Sequence, residues 1–236
     1  MPNLNAREIH AQSEQAREAD ELDLALDLIS KAILQYQEEK NLAGQAEALC
    51  SKFLALKHKY RKTGETKYLE QAREEVEKAV AIAEKLDDKS GLIIPLINLS
   101  KVLEELGQAA EALPHYERAA ELNKETVLKN HDQDLLAVDI ELHLGLAKLE
   151  SKPKKVDETA LSQIETSLKN LNSGKENRDS FRVNVLISGA YLRLAKYFKD
   201  KDLDKTKVYL KLATQLINED ERLVLRKEQL KTFDLE

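Results

Sequence analysis

Residues 92–125 read LIIPLINLSKVLEELGQAAEALPHYERAAELNKE, and this stretch decides the fold. Its first half sets apolar side chains at Leu96, Leu99 and Leu103 and a small one at Ser100, three and four residues apart, which is the spacing of one α-helical face. Gly107 interrupts the run, and the second half resumes the same period with Ala112, Tyr116 and Ala119. Two amphipathic helices joined by so short a turn lie antiparallel. Small residues at Ser100, Ala112 and Ala119 let the backbones approach, while Leu96, Leu99, Leu103 and Tyr116 fill the space between them.

Working outward, the small-x3-apolar-x2-small pattern of Ala112-Tyr116-Ala119 recurs at Ala25-Ile29-Ala32, Ala72-Val76-Ala79, Ala160-Ile164-Ser167 and Thr206-Leu210-Ala213. The first residues of successive copies are 47, 40, 48 and 46 apart. Another amphipathic segment of roughly 15 to 20 residues precedes each copy, so every unit is a helix pair. Thr63-Gly64, Asp87-Asp88-Lys89-Ser90-Gly91, Gly107-Gln108, Ser151-Lys152-Pro153 and Asn172-Ser173-Gly174 supply turn and cap chemistry between the periodic stretches. Helices are predicted near 5–18, 22–40, 42–62, 66–86, 92–106, 109–129, 133–150, 156–171, 179–199 and 204–217, with a last one near 219–232. Pro95 and Pro114 must then lie close to helix starts, because an interior proline costs about 3 kcal/mol; Pro114 falls about one turn inside its helix.

Composition agrees with this reading. Of 236 residues, 42% are hydrophobic and 34% charged, in the range of globular proteins, and 7 Gly, 4 Pro, 4 Phe, 7 Tyr and no Trp argue against sandwiches, barrels and doubly wound sheets. A single cysteine, Cys50, rules out an intrachain disulfide, and its segment Ala46-Leu49-Phe53-Leu56 makes it a buried structural thiol. The longest apolar run, Leu92 to Ile97, is far short of the ~20 residues of a membrane span, and Met1 to Arg7 show no basic region followed by an apolar stretch. A cytoplasmic location is expected.

The pair Leu96-x2-Leu99-Ser100-x2-Leu103, Gly107, Ala112-x3-Tyr116-x2-Ala119 resembles a tetratricopeptide repeat. The other units depart from it: Lys57 stands at a small-residue position, and Glu65-Thr66-Lys67 is inserted after a turn glycine. In the third unit itself Lys124 replaces the terminal proline. The spacings exceed the family's ~34 residues, which resembles its longer-helix variants. The implied fold is all-α, a right-handed superhelical solenoid of about five antiparallel pairs (5–40, 42–86, 92–129, 133–171, 179–217) and a C-terminal capping helix at 219–232, forming one repeat domain over 1–236. The resemblance also implies that first helices line an inner, concave wall. That wall would present His10, Glu14 and Arg17, then Leu54, His58 and Arg61, then Ile97, Asn98 and Lys101, then Leu142, His143 and Leu146, and finally Leu186 and Arg193. Asn98 matches the asparagine with which such arrays hold a peptide backbone.

No pattern in the chain carries catalysis. The five histidines, His10, His58, His115, His131 and His143, form no His-x3-His pair, so no metal or cofactor is expected. His131 with Asp132 and Asp134 reads as an interhelix turn, and Ser173-Gly174-Lys175 lacks the remainder of a phosphate loop. Charge is more informative. The net of −6 argues against nucleic acid as the partner, yet residues 1–40 carry a net of −5, residues 52–67 a net of +5 and residues 191–212 a net of +4. The expected function is a non-enzymatic scaffold for a protein or peptide, with an acidic or C-terminal segment favoured and no membrane partner. The alternative is a peptide-sensing regulator whose repeats pass ligand binding to an effector.

Overall fold

The computed structural model of the protein describes residues 4–125, 131–173, 179–231 and 233. Among them are eleven α-helices and no strand, in two compact units, Met1–Thr126 and Val127–Glu236. Unit 1 holds three pairs: α1 (Ala6–Glu18) with α2 (Leu22–Glu38), α3 (Leu42–Thr63) with α4 (Lys67–Ala83), and α5 (Ile93–Glu105) with α6 (Ala109–Glu125). Successive pairs join through α2 on α3 and α4 on α5, and the first helices also touch, α1 with α3 and α3 with α5. Unit 2 pairs α7 (His131–Ser151) with α8 (Glu158–Ser173) and α9 (Ser180–Phe198) with α10 (Leu203–Glu219), and α11 (Val224–Lys231) lies on α9 and α10.

The repeated pattern sets the packing of every pair. All fifteen residues of its five copies are exposed by no more than 5%, from Ala25, Ile29 and Ala32 on α2 to Thr206, Leu210 and Ala213 on α10. In the third pair Ser100 Oγ donates to Leu96 O at 2.9 Å and also lies 3.2 Å from Ala112 O on the facing helix, a separation that a larger residue at either position would forbid. Gly145 plays the corresponding part in α7: a Cβ there would lie 2.8 Å from Ile164 Cγ1 and 3.3 Å from Ala160 O, so α8 closes against bare backbone.

Helix ends follow from local chemistry. Asn5 and Glu8 form a reciprocal capping box at α1, and Asn41, Asp179 and Asp202 accept backbone N–H groups at the starts of α3, α9 and α10. Pro95 lies in the first turn of α5, where its missing N–H has no intrahelical partner to lose, and Pro114 sits one turn into α6. Expected and observed boundaries agree to about a turn except at the last helix, expected from 219 and starting at Val224. The cause is Asp220, whose carboxylate accepts from Asn184 Nδ2 at 2.8 Å and from Arg222 Nε and Nη2 at 2.8 Å each, holding the backbone extended (φ −121°, ψ 101°). Gly107 ends α5 in the left-handed region at φ 78°, with Gln108 N–H donating to Leu103 O. Lys40 ends α2 by the same closure, Asn41 N–H to Tyr36 O, at φ 55° and without glycine's freedom.

Two outcomes are expected in urea melts. Ala119→Leu should overpack the α5–α6 contact and cost about 1–3 kcal/mol, whereas Glu117→Ala on the exposed face should change stability by less than about 0.5 kcal/mol; equal effects would contradict the packing register. Lys40→Gly should stabilise unit 1 by about 0.5–1 kcal/mol, the relief of left-handed strain exceeding the entropy that glycine adds to the unfolded chain.

Candidate functional site

In unit 1 the face shared by α1, α3 and α5 takes Lys57 and Arg61 from the 52–67 zone, whose other lysines pair with carboxylates elsewhere. Glu105 at the end of α5 is the acceptor at its centre. Its Oε1 receives Arg61 Nη2 at 2.7 Å and Lys57 Nζ at 3.2 Å, both from α3. Burial pushes the Glu105 carboxyl up, but Lys57 and Arg61 together outweigh it and hold the group at about 2, so it is ionised at neutral pH. Lys57 is drawn down to about 8, first by burial and then by the neighbouring Arg61 and Lys101 charges, against the opposing pull of Glu105. One carboxylate therefore answers two cations.

One turn away on α3, His58 lies below its ordinary pKa because of burial and of the Arg17 and Arg61 charges, which leaves a neutral ring between two guanidinium groups. Arg17 Nη2 donates to Glu18 at 2.6 Å, yet the Nε donors of Arg17 and Arg61 are both buried without an acceptor. Lys101 of α5 and Leu54 of α3 are half-buried beside this group. The two Nε donors are unmatched here, a situation that costs free energy until another acceptor arrives.

The remaining expected wall residues divide between joints and core. His10 is 5% exposed: its Nε2 lies 2.8 Å from Ser51 Oγ and its ring meets Tyr36 edge-on, so it joins α1 to α3. Asn98 is buried too, and burial pushes the Cys50 thiol up to about 12, with Asn98 pulling the other way. Ile97 and Leu142 are 3% and 1% exposed, and Leu142 sits in the apolar core of unit 2 with Leu161 and Ile164. These two side chains pack inward, a correction to their expected place on an open wall: α5 contacts α3, α4 and α6, and α7 contacts α8 and α9 within its own unit, so a position one face from one neighbour meets another.

In unit 2 the structure brings His143 and Arg193 together. Arg193 holds Glu150 with Nε to Oε1 at 2.9 Å and Nη2 to Oε2 at 2.7 Å, while its Nη1 lies 3.0 Å from His143 Nδ1. His143 Nε2 faces Asp139 at 3.4 Å. The imidazole is thus an oriented bridge between α7 and α9. Glu105 and Glu150 escaped the reading of the sequence, and Lys57 was noted there only as a departure from the repeat and a member of the basic zone, although a signal existed: Arg61 and Glu105 are 44 residues apart, and Glu150 and Arg193 are 43, both within the range of the repeat spacing. The side chains of His131, Asp132 and Asp134, and residues 174–175 of the Ser173 turn, lie outside the described residues. Among the described residues no three metal-ligating side chains converge, and no helix is long and apolar enough to cross a membrane.

Paired helices in repeated register, with a polar face on the first helices, define a helix-pair repeat protein, and comparison with known proteins specifies the kind. Residues 65–125, covering α4 to α6 except for the first residues of the turn before them, match the family model described as tetratricopeptide repeat. Two solved structures of nearly identical TPR-like repeats, from a candidate kinesin light chain of Podosopora anserina, share the fold. The first, of a substituted variant, gives a TM-score of 0.54 at 15% identity over 92% of this chain and 96% of that one. The second gives 0.52 at 14% identity over 89% and 93%. The curated proteins compared with the sequence give no match. Residues 65–125 are thus similar in sequence to tetratricopeptide repeats, and the chain shares the fold of TPR-like repeat structures.

The Glu105 cluster has a testable pH signature. Its folded pKa lies below the ordinary 4.5, so the stability it contributes is present above pH 4.5 and disappears as pH falls toward about 2. Glu105→Gln should cost about 2 kcal/mol at pH 7, where it leaves two cations without their carboxylate, and progressively less below pH 4. Denaturant midpoints of variant and parent at pH 7, 4 and 2.5 check this; a cost independent of pH would mean that packing, not charge, is what Glu105 supplies.

Proposed function

We propose that the protein is a non-enzymatic binding scaffold and that the α1, α3 and α5 face of unit 1 receives an acidic segment of a protein partner. The observation that carries this reading is the imbalance on that face. Lys57 and Arg61 share Glu105, Arg17 holds Glu18, and the two buried guanidinium Nε donors of Arg17 and Arg61 lack acceptors. An Asp, a Glu or a terminal carboxylate brings the missing acceptors, and Arg offers a planar fork suited to either. Leu54 on α3 adds half-buried apolar contact. The tetratricopeptide fold supports the same reading at the level of class, as a protein-interaction scaffold.

The test uses a fluorescein-labelled peptide rich in Asp and Glu with interspersed leucines, prepared with free and with amidated C-termini, and followed by anisotropy. Arg61→Gln and Lys101→Glu should each weaken binding about tenfold or more, while Lys78→Glu on α4, an exposed lysine paired with Glu75, should leave it nearly unchanged. Raising salt from 0.1 to 1 M shortens the Debye length from about 10 to about 3 Å and should reduce affinity without abolishing it. Equal loss from Lys78→Glu, or none from the two inner changes in chains whose circular dichroism melts are intact, refutes the assignment of this face.

A further inference from the structure

The α3 helix turns toward α1 and α5 a stripe whose chemistry changes along its length. Glu47, Leu54 and Arg61 follow one another at seven-residue intervals, and such residues drift by only about 20° around a straight helix, so the three stand in one line. Leu54 lies midway, at about 60° from each, between Ser51, which α1 reaches through His10, and Lys57, which holds Glu105 of α5. The line is therefore the strip of α3 between its two first-helix neighbours. Glu47 is exposed and makes no ion pair among the described residues, Leu54 is half-buried, and Arg61 keeps its Nε donor unmatched. Burial raises the Tyr36 hydroxyl, Glu47, Glu39 and Glu14 raise it further and Arg7 opposes them, so acidic groups outnumber basic ones near Glu47. With Asn98 beside Cys50 and Glu105 beside Arg61, α3 and α5 run parallel. Ile94, one turn before Asn98 and about 20° around α5 from Glu105, is thus level with Glu47 on the side of α5 turned to α3, and it is 44% exposed.

At about 1.5 Å per residue, Glu47 to Arg61 spans about 21 Å, with Leu54 halfway. A polyproline II segment has about three residues per turn and rises about 3.1 Å per residue, so residues three apart share a face and six steps cover about 19 Å. Long side chains at the two ends close the small remainder. A β-strand would turn the middle residue of such a series to the opposite face. Beside Glu47 an exposed carboxylate stands level with an exposed apolar side chain, which suits a Lys or Arg: its aliphatic stem covers Ile94 while its charged head meets Glu47. At the other end Arg61 suits an Asp or a Glu. We propose that the segment received by this face is extended and carries a basic, an apolar and an acidic residue at three-residue intervals, read by Glu47, Leu54 and Arg61. Resting on the acidic-segment function proposed above, this motif adds to it a fixed spacing and a basic end that Glu47 selects.

The test uses fluorescein-labelled peptides in which Lys, Leu and Glu are separated by Pro-Ala pairs, with anisotropy followed on the full chain. This peptide should bind about threefold to fivefold tighter than one with single-alanine spacers, and tighter by the same factor than one with Glu in place of its Lys, the scale of an exposed ion pair. Glu47→Lys changes an exposed side chain, should leave the circular dichroism melt as it is, and should reverse the order of the Lys and Glu peptides. Ile94→Ser, also exposed, should weaken the Lys peptide about threefold and leave the Glu peptide nearly unchanged. Equal affinity of the parent for the Lys and Glu peptides, a preference for Lys that survives Glu47→Lys, or indifference to the spacing overturns the proposal. If Arg61→Gln still weakens these peptides in that case, the acidic-segment function stands without the motif. If no peptide binds, or none responds to Arg61→Gln, both fall.

Discussion

Close approach within each helix pair is the constraint on which the remaining structure depends. On every second helix a small side chain occurs at two positions seven residues apart, with one larger side chain between them, and each of these positions is almost completely shielded from water. Ala, Ser and Thr at the flanking positions permit the facing backbones to come together, as the 3.2 Å between Ser100 Oγ and Ala112 O illustrates. Ile29, Val76, Tyr116, Ile164 and Leu210 then occupy the remaining space, and because interiors are packed nearly as tightly as organic crystals, neither kind of position tolerates the other's side chain. The repeat is in this sense a steric rule written twice per unit and filled once.

Electrostatics follows from that geometry. When pairs repeat every 40 to 48 residues, side chains separated by about that distance in sequence face each other across adjacent first helices. Arg61 reaches Glu105 and Glu150 reaches Arg193 in this manner, with the sense of the charges reversed between the two units. The balance nevertheless differs. In unit 2 the guanidinium of Arg193 is answered by both oxygens of one carboxylate, and His143 is oriented by Asp139. In unit 1 one carboxylate serves two cations, and the Nε donors of Arg17 and Arg61 find nothing. The same architectural contact is nearly closed in one unit and open to a further acceptor in the other.

Much of this was legible in the residues themselves. Apolar periodicity and breakers located the helices to about a turn, because helix formation is governed by short-range spacing and caps that a single sequence displays directly. The C-terminal boundary was not legible: Asp220 interrupts the helix through a bond to Asn184, 36 residues away, and no local pattern announces such a partner. The wall residues divide for a related reason. Arg17, Leu54, His58, Arg61 and Lys101 stand on the first helices of unit 1 with partial exposure, whereas Ile97 and Leu142 have the same period and are buried, since burial depends on whether a second helix covers that flank.

Polar residues on first helices carry a further ambiguity that the structure resolves by partner. His10 on Ser51 and Asn184 Nδ2 on Asp220 each connect different elements inside a unit, where an unmatched polar group such as Asn184 Oδ1 costs about 1–3 kcal/mol. Such pairs favour one registration of neighbouring helices over a slipped one, in which the donors and acceptors would lose each other while the leucines could still find apolar surroundings. Committing those side chains to registration removes them from the surface. On the first-helix face of unit 1 the half-buried set one turn further along, around His58 and Arg61, keeps the polar groups that these joints do not use, among them the unmatched Nε donors of Arg17 and Arg61.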